Sequence, residues 1–565
     1  MRRLTIHASL AALAAAPLAA CGDDATSAPA ADLTEETAAD VLESAADVEA
    51  PDAAPPTPDG PLARVFPIDP LTSPETQLVG LTGLSDPPTT LEGDFARVRS
   101  CTPDLGRGPR SRMELQNGDT IDFVSCVPEF KASAVDGGFL HVPKTLADPA
   151  APAGSVPDDG RLAEVMMYHH MTQIHSFYSD FYGIKDRDEP LNAITNIQTW
   201  VSACDAWTQW SNAAYVPQEA LDFLMTGLSL TDTPGDAIVF SGAGERNFAH
   251  DATVIYHEYT HAILGATRLS GAFLDAQGIN NLPGALNEAY ADYFAGTMTN
   301  EAAVGQYALN DLAPSDFCGL ASEEDATENY ARDMRSARRC PDDLVAEVHV
   351  DSQIFSAALW EMRDVMGKLA ADSIALYAVL QLTEESDFDA AANATIEAAR
   401  DIYGAEGAEQ VRGFFASRNI LGCERVVPAE RIAGAAVPPR HEGTRIFGEA
   451  NPYPGYAPGY LQYALNAPSG AKKATITLSA VSNWGSGVTL DLEAAFKRGG
   501  AVRYTLGNTV GSARHDAEIV VGNNGRTITL SRPDGGELGE GLWAMALNNQ
   551  SRRGFRLTGI QVAWE

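Results

Sequence analysis

The sequence predicts a multidomain α+β protein: a mixed β/α N-terminal part and a helical part after it, followed by an all-β sandwich. Three observations carry that prediction. Segments between Arg64 and Pro157 are short and punctuated by Gly and Pro, without helical periodicity. Apolar residues then recur at spacings of three and four, first near Arg161 and again from Asp251 to about Gly422. After Pro438 the pattern changes to strict period-two alternation. The 565 residues allow about three or four domains at roughly 100 to 200 residues each, and 45% hydrophobic content is ordinary for globular chains.

The N-terminus reads as an export signal. Arg2 and Arg3 precede an apolar run from Leu4 to Ala20, which is short for a membrane span and broken by His7 and Ser9. Residues 1–20 are therefore expected to be a signal peptide. The tetrapeptide Leu18-Ala19-Ala20-Cys21 resembles a bacterial lipobox. That resemblance implies acylation of Cys21 and an exported lipoprotein at the outer membrane or cell surface, or released from it, with a membrane contact through the lipid anchor. Residues 21–63 contain eleven acidic residues and no basic one. Such a stretch buries too little apolar surface to offset its ordering entropy, so it is expected to be a disordered, self-repelling tether.

Charge narrows the partners. There are 39 Lys+Arg against 76 Asp+Glu, a formal charge of −37, of which residues 64–440 hold −30 while residues 441–565 hold +2. An acidic body of this kind repels DNA and RNA, which excludes nucleic acid as a partner. Six cysteines remain besides Cys21, an even number that suits disulfides in an exported chain. Proximity in sequence favours Cys101 with Cys126 and Cys318 with Cys340, leaving Cys204 with Cys423.

Residues 64–158 read as an N-terminal β-rich region and residues 159–428 as a second, largely helical domain. The first helix of that domain carries Leu162, Val165, Met166, His169, His170 and Ile174 at helical spacing. Its histidines, His169, His170 and His175, lack an acidic partner at ligand spacing and read as ordinary helix residues. Further on, Ile354, Phe355, Ala358, Leu359, Met362, Val365, Met366 and Leu369 trace one apolar stripe on a long helix. In residues 440–565, Thr475 to Leu478, Val488 to Phe496, Thr527 to Leu530 and Ile560 to Trp564 alternate between Gly and Asn turns, as strands of a sandwich do.

The chemistry lies in Asp251 to Leu264. His257 and His261 stand four apart, so a helix presents both imidazoles to a single ion. Ile255, Tyr259, Ala262 and Ile263 fall on the opposite face and are expected to pack into a core. Glu258 neighbours the first histidine without being placed to complete a tetrahedron, which suits a general base. Downstream, Leu286 to Phe294 again reads as helix, with Glu288 and Asp292 one turn apart. Glu288 supplies the third protein ligand that a catalytic zinc needs, and Asp292 is placed to accept the second ring N–H of a liganding histidine.

These residues resemble the thermolysin-like and fungalysin-like zinc metallopeptidases, whose third ligand is a glutamate on a separate helix. Ser211 to Tyr215 resembles the family's Asn-Ala-aromatic edge strand, which implies that Asn212 and Ala213 bind the substrate backbone. Ala331 to Met334 resembles the segment whose arginine, here Arg332, holds a substrate carbonyl. Val348 to Ile354 is similar to the segment carrying the transition-state histidine, which implies His349 as an oxyanion donor, with Asp342 or Asp343 to orient it. The C-terminal module resembles pre-peptidase C-terminal domains. The chain departs from the thermolysin pattern in having no tyrosine between Ala262 and Asn287, where a further oxyanion donor is common, and in having a short N-terminal region.

The resemblance implies a two-lobed body with residues 159–428 as the catalytic domain, one catalytic zinc on His257, His261 and Glu288, attack of a zinc-activated water on peptide bonds of protein or peptide substrates, and Glu258 as the base. Calcium fits the acidity and the family's habits, although no EF-hand loop is present. Two other readings use the same residues: a non-catalytic cell-surface binding protein on a peptidase scaffold, for which the missing tyrosine speaks, and a zinc hydrolase of non-peptide substrates.

Overall fold

A computed structural model of the chain describes residues 59–565 apart from 109, 115–119, 145–155, 186, 210, 219–234, 266–268, 270–273, 276–277, 280, 311–330, 384–385, 436, 442–457, 483–489, 507–512, 524 and 551–553. The expected signal peptide, Cys21 and most of the tether lie outside the described residues. Leu62 and Ala63, expected at the end of the tether, already belong to a strand, Leu62–Val65. It pairs antiparallel with Gln77–Gly80 and parallel with Gly138–Phe139.

The largest sheet of the N-terminal part orders its strands Ala213–Val216, Ala237–Phe240, Leu191–Thr195, Ala96–Thr102, Val127–Glu129. Leu191–Thr195 is buried along its whole length, as a central strand covered on both faces must be, and it runs parallel to both neighbours. Parallel pairing needs a long crossover, and here helix α1 (Asp159–Ser176) lies in the connection between Ala96–Thr102 and Leu191–Thr195. Ala213–Val216 is antiparallel and forms the edge. A second, antiparallel sheet of four strands contains Thr120–Ser125 and Gln198–Val201. Cys101 and Cys126 are bonded with Cα atoms 5.4 Å apart, as proximity in sequence predicted.

Helix α1 begins where Asp158 accepts from the N–H groups of Gly160 and Arg161, both at 3.1 Å, satisfying donors that the first turn leaves without partners. Leu162, Val165, Met166, Met167 and Ile174 are fully buried against the sheet and against helix α2 (Ala252–Gly265). Helices α3 (Leu282–Thr299), α4 (Val348–Met366), α5 (Lys368–Val379) and α6 (Phe388–Ser417) complete the helical part. Close approach of α3 and α4 requires Gly296, where a Cβ atom would stand 2.9 Å from Trp360 Cζ3.

The apolar stripe predicted as one helix is two. Gly367, at φ 89°, ends α4 and starts α5, so Leu369 lies on the second helix; Val365 and Leu369 are 57% and 37% exposed. A residue at that φ favours glycine and cannot continue a right-handed helix. The disulfide pairing also differs from expectation. Cys340 is bonded to Cys423 with Cα atoms 5.8 Å apart, tying the end of α6 to the segment before α4. Cys204 is disulfide-bonded as well, but not to Cys423, and Cys318 lies outside the described residues. Proximity in sequence misled because α4, α5 and α6 fold back and bring distant residues together.

The C-terminal part is strand-rich. One sheet orders Val426–Pro428, Pro458–Ala467, Gly541–Asn549, Leu492–Arg498, Ile519–Asn523; another orders Arg440–His441, Phe555–Trp564, Lys473–Ser482, Thr527–Ser531. Alternate residues of both sheets, including Leu461, Tyr463, Leu465, Ala474, Ile476, Leu478, Ile528 and Leu530, join one continuous core. Among the described residues no helix is long and apolar enough to cross a membrane.

Candidate metal centre

Helix α2 forms because Asp251 accepts from the Thr253 N–H (3.0 Å) and hydroxyl (2.6 Å) at its start, and because Val254, Ile255, Tyr259, Ala262 and Ile263 bury its back. The opposite face carries His257 and His261, whose Nε2 atoms lie 2.9 Å apart with the rings perpendicular. Helix α3 packs against α2 and brings in Glu288. Its Oε2 is 3.2 Å from His257 Nε2 and its Oε1 is 3.6 Å from His261 Nε2. These three residues offer ligand atoms within 4.8 Å of one another. Among the described residues, buried Glu288 Oε2 accepts no hydrogen bond and faces only His257 Nε2, so the three side chains direct their ligand atoms at one another and at a common point.

Each imidazole is held from behind. His261 Nδ1 meets Asn287 Oδ1 at 2.5 Å, and Asn287 in turn donates to the Leu269 carbonyl at 3.0 Å. His257 Nδ1 meets Asp292 Oδ1 at 2.9 Å. Both partners are acceptors, which places the ring proton on Nδ1 and leaves each Nε2 lone pair facing the common point. Asp292 is fully buried. Burial alone would raise its carboxyl, but Arg332 and His257 outweigh this and hold it below the usual range.

Arg332 stands deeper than a substrate clamp requires. It is 4% exposed, donates through Nε and Nη2 to Asp292 at 2.7 Å, and brings Nη2 to 3.3 Å from His257 Nδ1. In this state the guanidinium braces the residue that orients His257.

His349 emerges from the first turn of α4, with Nε2 3.5 Å from Glu288 Oε1. Neither Asp342 nor Asp343 orients it. Asp343 accepts from the Arg339 N–H instead, while Glu347 Oε1 lies 2.8 Å from His349 Nδ1. Glu347 also caps α4, its Oε2 accepting from the Val350 N–H at 3.0 Å. The turn that delivers it runs through Ala346 at φ 57° and is braced by Asp351, which accepts from Val345 and Ala346 at 2.8 and 3.0 Å. Burial opposes the charge on both partners, yet mutual attraction wins. Glu347 is lowered to about 2, and His349, facing Glu288 and Glu347, is raised to about 9.

Glu258 is 7% exposed, and its Oε2 accepts from the backbone N–H of Tyr215 at 2.7 Å. That bond fixes the orientation of the edge strand. The Asn212 carbonyl accepts from Ser241 within the sheet, so by alternation the backbone groups of Ala213 and Tyr215 point away from the sheet, toward α2. Asn212 Oδ1 accepts from the Ala213 N–H at 2.9 Å. The three histidines of α1 do not join the cluster: His170 bonds Tyr256 and the Phe66 carbonyl, His175 meets Asp188, and His169 is half-buried beside His170.

Sequence reasoning missed Glu347, Asn287 and the Tyr215 N–H. Asn287 had a signal, since it precedes Glu288 on a helix that had already been recognised. The Tyr215 amide had none, because a backbone donor carries no residue type.

Residues 279–417, spanning α3 to α6, match the family described as "Thermolysin metallopeptidase, alpha-helical domain". This segment is similar to the helical domain of thermolysin-type metallopeptidases. A relative with the same affinity is Neutral protease B of Bacillus subtilis (strain 168), 26% identical over 261 residues, which cover 44% of this chain and 43% of that protein. The chain thus spans less than half the length of the curated relative it matches. Glu288 and His349 fall inside the matched family segment, whereas His257 and His261 precede it.

Proposed function

We propose that the chain is an extracytoplasmic zinc endopeptidase. The observation that carries this reading is the convergence of His257, His261 and Glu288 next to Glu258, with His349 3.5 Å from Glu288. Two imidazoles and one carboxylate are the donor set of a catalytic zinc with a position left open. Both Nε2 lone pairs and Glu288 Oε2, which accepts no hydrogen bond among the described residues, fit such an ion. Zinc, when bound, polarises a carbonyl oxygen and brings the pKa of water down toward about 7.

The chain's own residues do the rest. Glu258, steadied by the Tyr215 amide, takes the proton of the attacking water and returns it to the leaving amine. His349, held through Nδ1 by Glu347, donates from Nε2 to the oxygen on which negative charge develops. Losing one such donor costs about 2.7 to 4 kcal/mol of barrier. The outward-facing carbonyls of Ala213 and Tyr215, whose N–H groups are taken by Asn212 Oδ1 and Glu258 Oε2, offer acceptors to the N–H groups of an extended peptide, which favours peptide over non-peptide substrates. Arg332 meets a substrate carbonyl only if it relaxes part of its hold on Asp292.

In this reading the β-rich and helical parts are the two lobes of the catalytic unit, and the C-terminal sheets form a sandwich that stabilises or docks. The lipobox-like Cys21 anchors the enzyme at a bacterial surface, and calcium is a further expected ion. The deciding experiment compares Glu258→Ala with the parent chain. Full zinc content with turnover reduced about 10²- to 10⁴-fold is expected; undiminished proteolysis would sink the reading.

A further inference from the structure

The amide that steadies Glu258 belongs to Tyr215, and the phenol of the same residue is tied back to the helix that carries Glu258. Tyr215 Oη donates to Asp236 Oδ2 at 2.6 Å and accepts from Arg187 Nη2 at 2.9 Å. Arg187 Nε donates to the Ala262 carbonyl at 2.9 Å, one turn beyond Glu258 and one residue past His261. Arg187 Nη1 lies 2.8 Å from Asp236 Oδ2, and Asp236 Oδ1 accepts from the Gln218 N–H at 3.0 Å, just after the edge strand. The last turn of α2 comes close enough that a Cβ on Gly265 would stand 3.2 Å from Tyr215 Oη.

These bonds close a ring: Glu258 to the Tyr215 amide, through the Tyr215 side chain to Arg187, to the Ala262 carbonyl, and along one turn of α2 back to Glu258. Arginine suits the junction because its planar fork donates in three directions at once, whereas a lysine ammonium is a point charge on a flexible stem. The Ala262 carbonyl is among the last four of α2, which lack intrahelical donors and favour a cation. Without Arg187 the edge strand keeps its ladder to Ala237–Phe240 but is tied to α2 through the Tyr215 amide and Glu258 without the brace on the Tyr215 side chain.

We propose that Arg187 is a positioning residue for the reaction. It locks Tyr215 onto α2, and thereby fixes both the amide that orients the Glu258 carboxylate and the strand edge that receives the peptide. This rests on reading Glu258 as the base, so the test must separate the two.

The experiment measures kcat and KM per bound zinc, zinc content and Tm for Arg187→Lys, Tyr215→Phe and the double variant, in the full chain. Arg187→Lys keeps a cation beside Asp236. Its kcat per zinc is expected to fall about 10- to 100-fold, the usual effect of removing a supporting partner from such a site, with KM raised and zinc content unchanged. Tyr215→Phe changes both in the same direction, and the double variant is no worse than the weaker single variant, because both cut one ring. In Arg187→Ala, millimolar guanidinium restores part of the lost kcat. A merely structural role lowers Tm while leaving kcat and KM per zinc at parent values, and that outcome overturns the proposal. If Glu258→Gln retains turnover, the base assignment fails; if it is inactive while Arg187→Lys matches the parent, only the positioning role fails.

Discussion

His349 Nδ1 rests 2.8 Å from Glu347 Oε1, on the same carboxylate whose second oxygen caps helix α4. Glutamate is not among the favoured N-cap residues, and Ala346 before it occupies the left-handed region, so this turn gives up local preference to bring a carboxylate under the imidazole. Glu347→Ser separates the two roles. Serine is an excellent cap but is too short to reach His349. We expect Tm to fall less than in Glu347→Ala, which loses the cap as well as the ion pair, while kcat falls about 10- to 100-fold with little change in KM. Equal turnover in the serine variant reduces Glu347 to a cap.

Asp292 is the next point of leverage. It is fully buried and shared between His257 and Arg332, so its loss leaves a buried guanidinium without a counter-charge. Asp292→Ala is expected to destabilise the chain by about 3–5 kcal/mol by chemical denaturation. It should also weaken zinc about 10- to 100-fold. Adding Arg332→Met should recover much of the stability, because an apolar replacement removes the unpaired charge, but none of the zinc affinity, because His257 still lacks its acceptor. Recovery of both would assign Asp292 a purely electrostatic role.

How much of this was legible in the sequence follows from where the information sits. His257, His261, Glu288 and Asp292 lie at helical spacing on two helices, and spacing of that kind survives folding, so their arrangement could be drawn before the structure. Period-two strands of the C-terminal part were equally plain, since Ile476 and Leu478, Leu492, Ala494 and Phe496, or Ile528 and Leu530 alternate without interruption. Glu347 was hidden although it is only two residues from His349, because residues two apart do not share a helix face; its place at the N-cap, after left-handed Ala346, lets its carboxylate turn back under the imidazole. The Cys340–Cys423 bridge was hidden because its 83-residue separation is closed by helix packing that no local pattern encodes. Parallel pairing of Ala96–Thr102 with Leu191–Thr195 was illegible for the same reason.

Removal of the metal tests the cluster independently of turnover. His257 and His261 Nε2 and the Glu288 carboxylate crowd together with one oxygen that accepts no hydrogen bond among the described residues, an arrangement that costs free energy without an ion and is relieved by one. Because an ion that binds only the folded chain stabilises it by about 2.7 kcal/mol at a hundred times its Kd, chelation should lower Tm reversibly. In Glu288→Ala, added zinc should no longer raise Tm at concentrations that saturate the parent. An identical zinc-dependent rise in both proteins would place the ion elsewhere.

Stability should also depend on pH through a carboxyl remote from the metal cluster. Glu164 on α1 is fully buried, and burial pushes it up to about 8 even though the Ala132 and Lys131 amides favour its charge. In the unfolded chain it titrates near 4.5. Between those values the folded state holds a proton that the unfolded state has released, so this group's contribution is complete below about 4.5 and is lost as pH rises through about 8. Asp351 and Asp251, raised by burial to about 8 and about 7, act with the same sign. His169, His170 and His441, lowered by burial, act with the opposite sign up to about pH 6.5, so Tm is expected to fall between about pH 6.5 and pH 8. Glu164→Gln, which keeps an acceptor for the same amides, should flatten that fall and exceed the parent at pH 8. Parallel curves for the two proteins in a thermal scan across this range would show that Glu164 is ionised in the folded state.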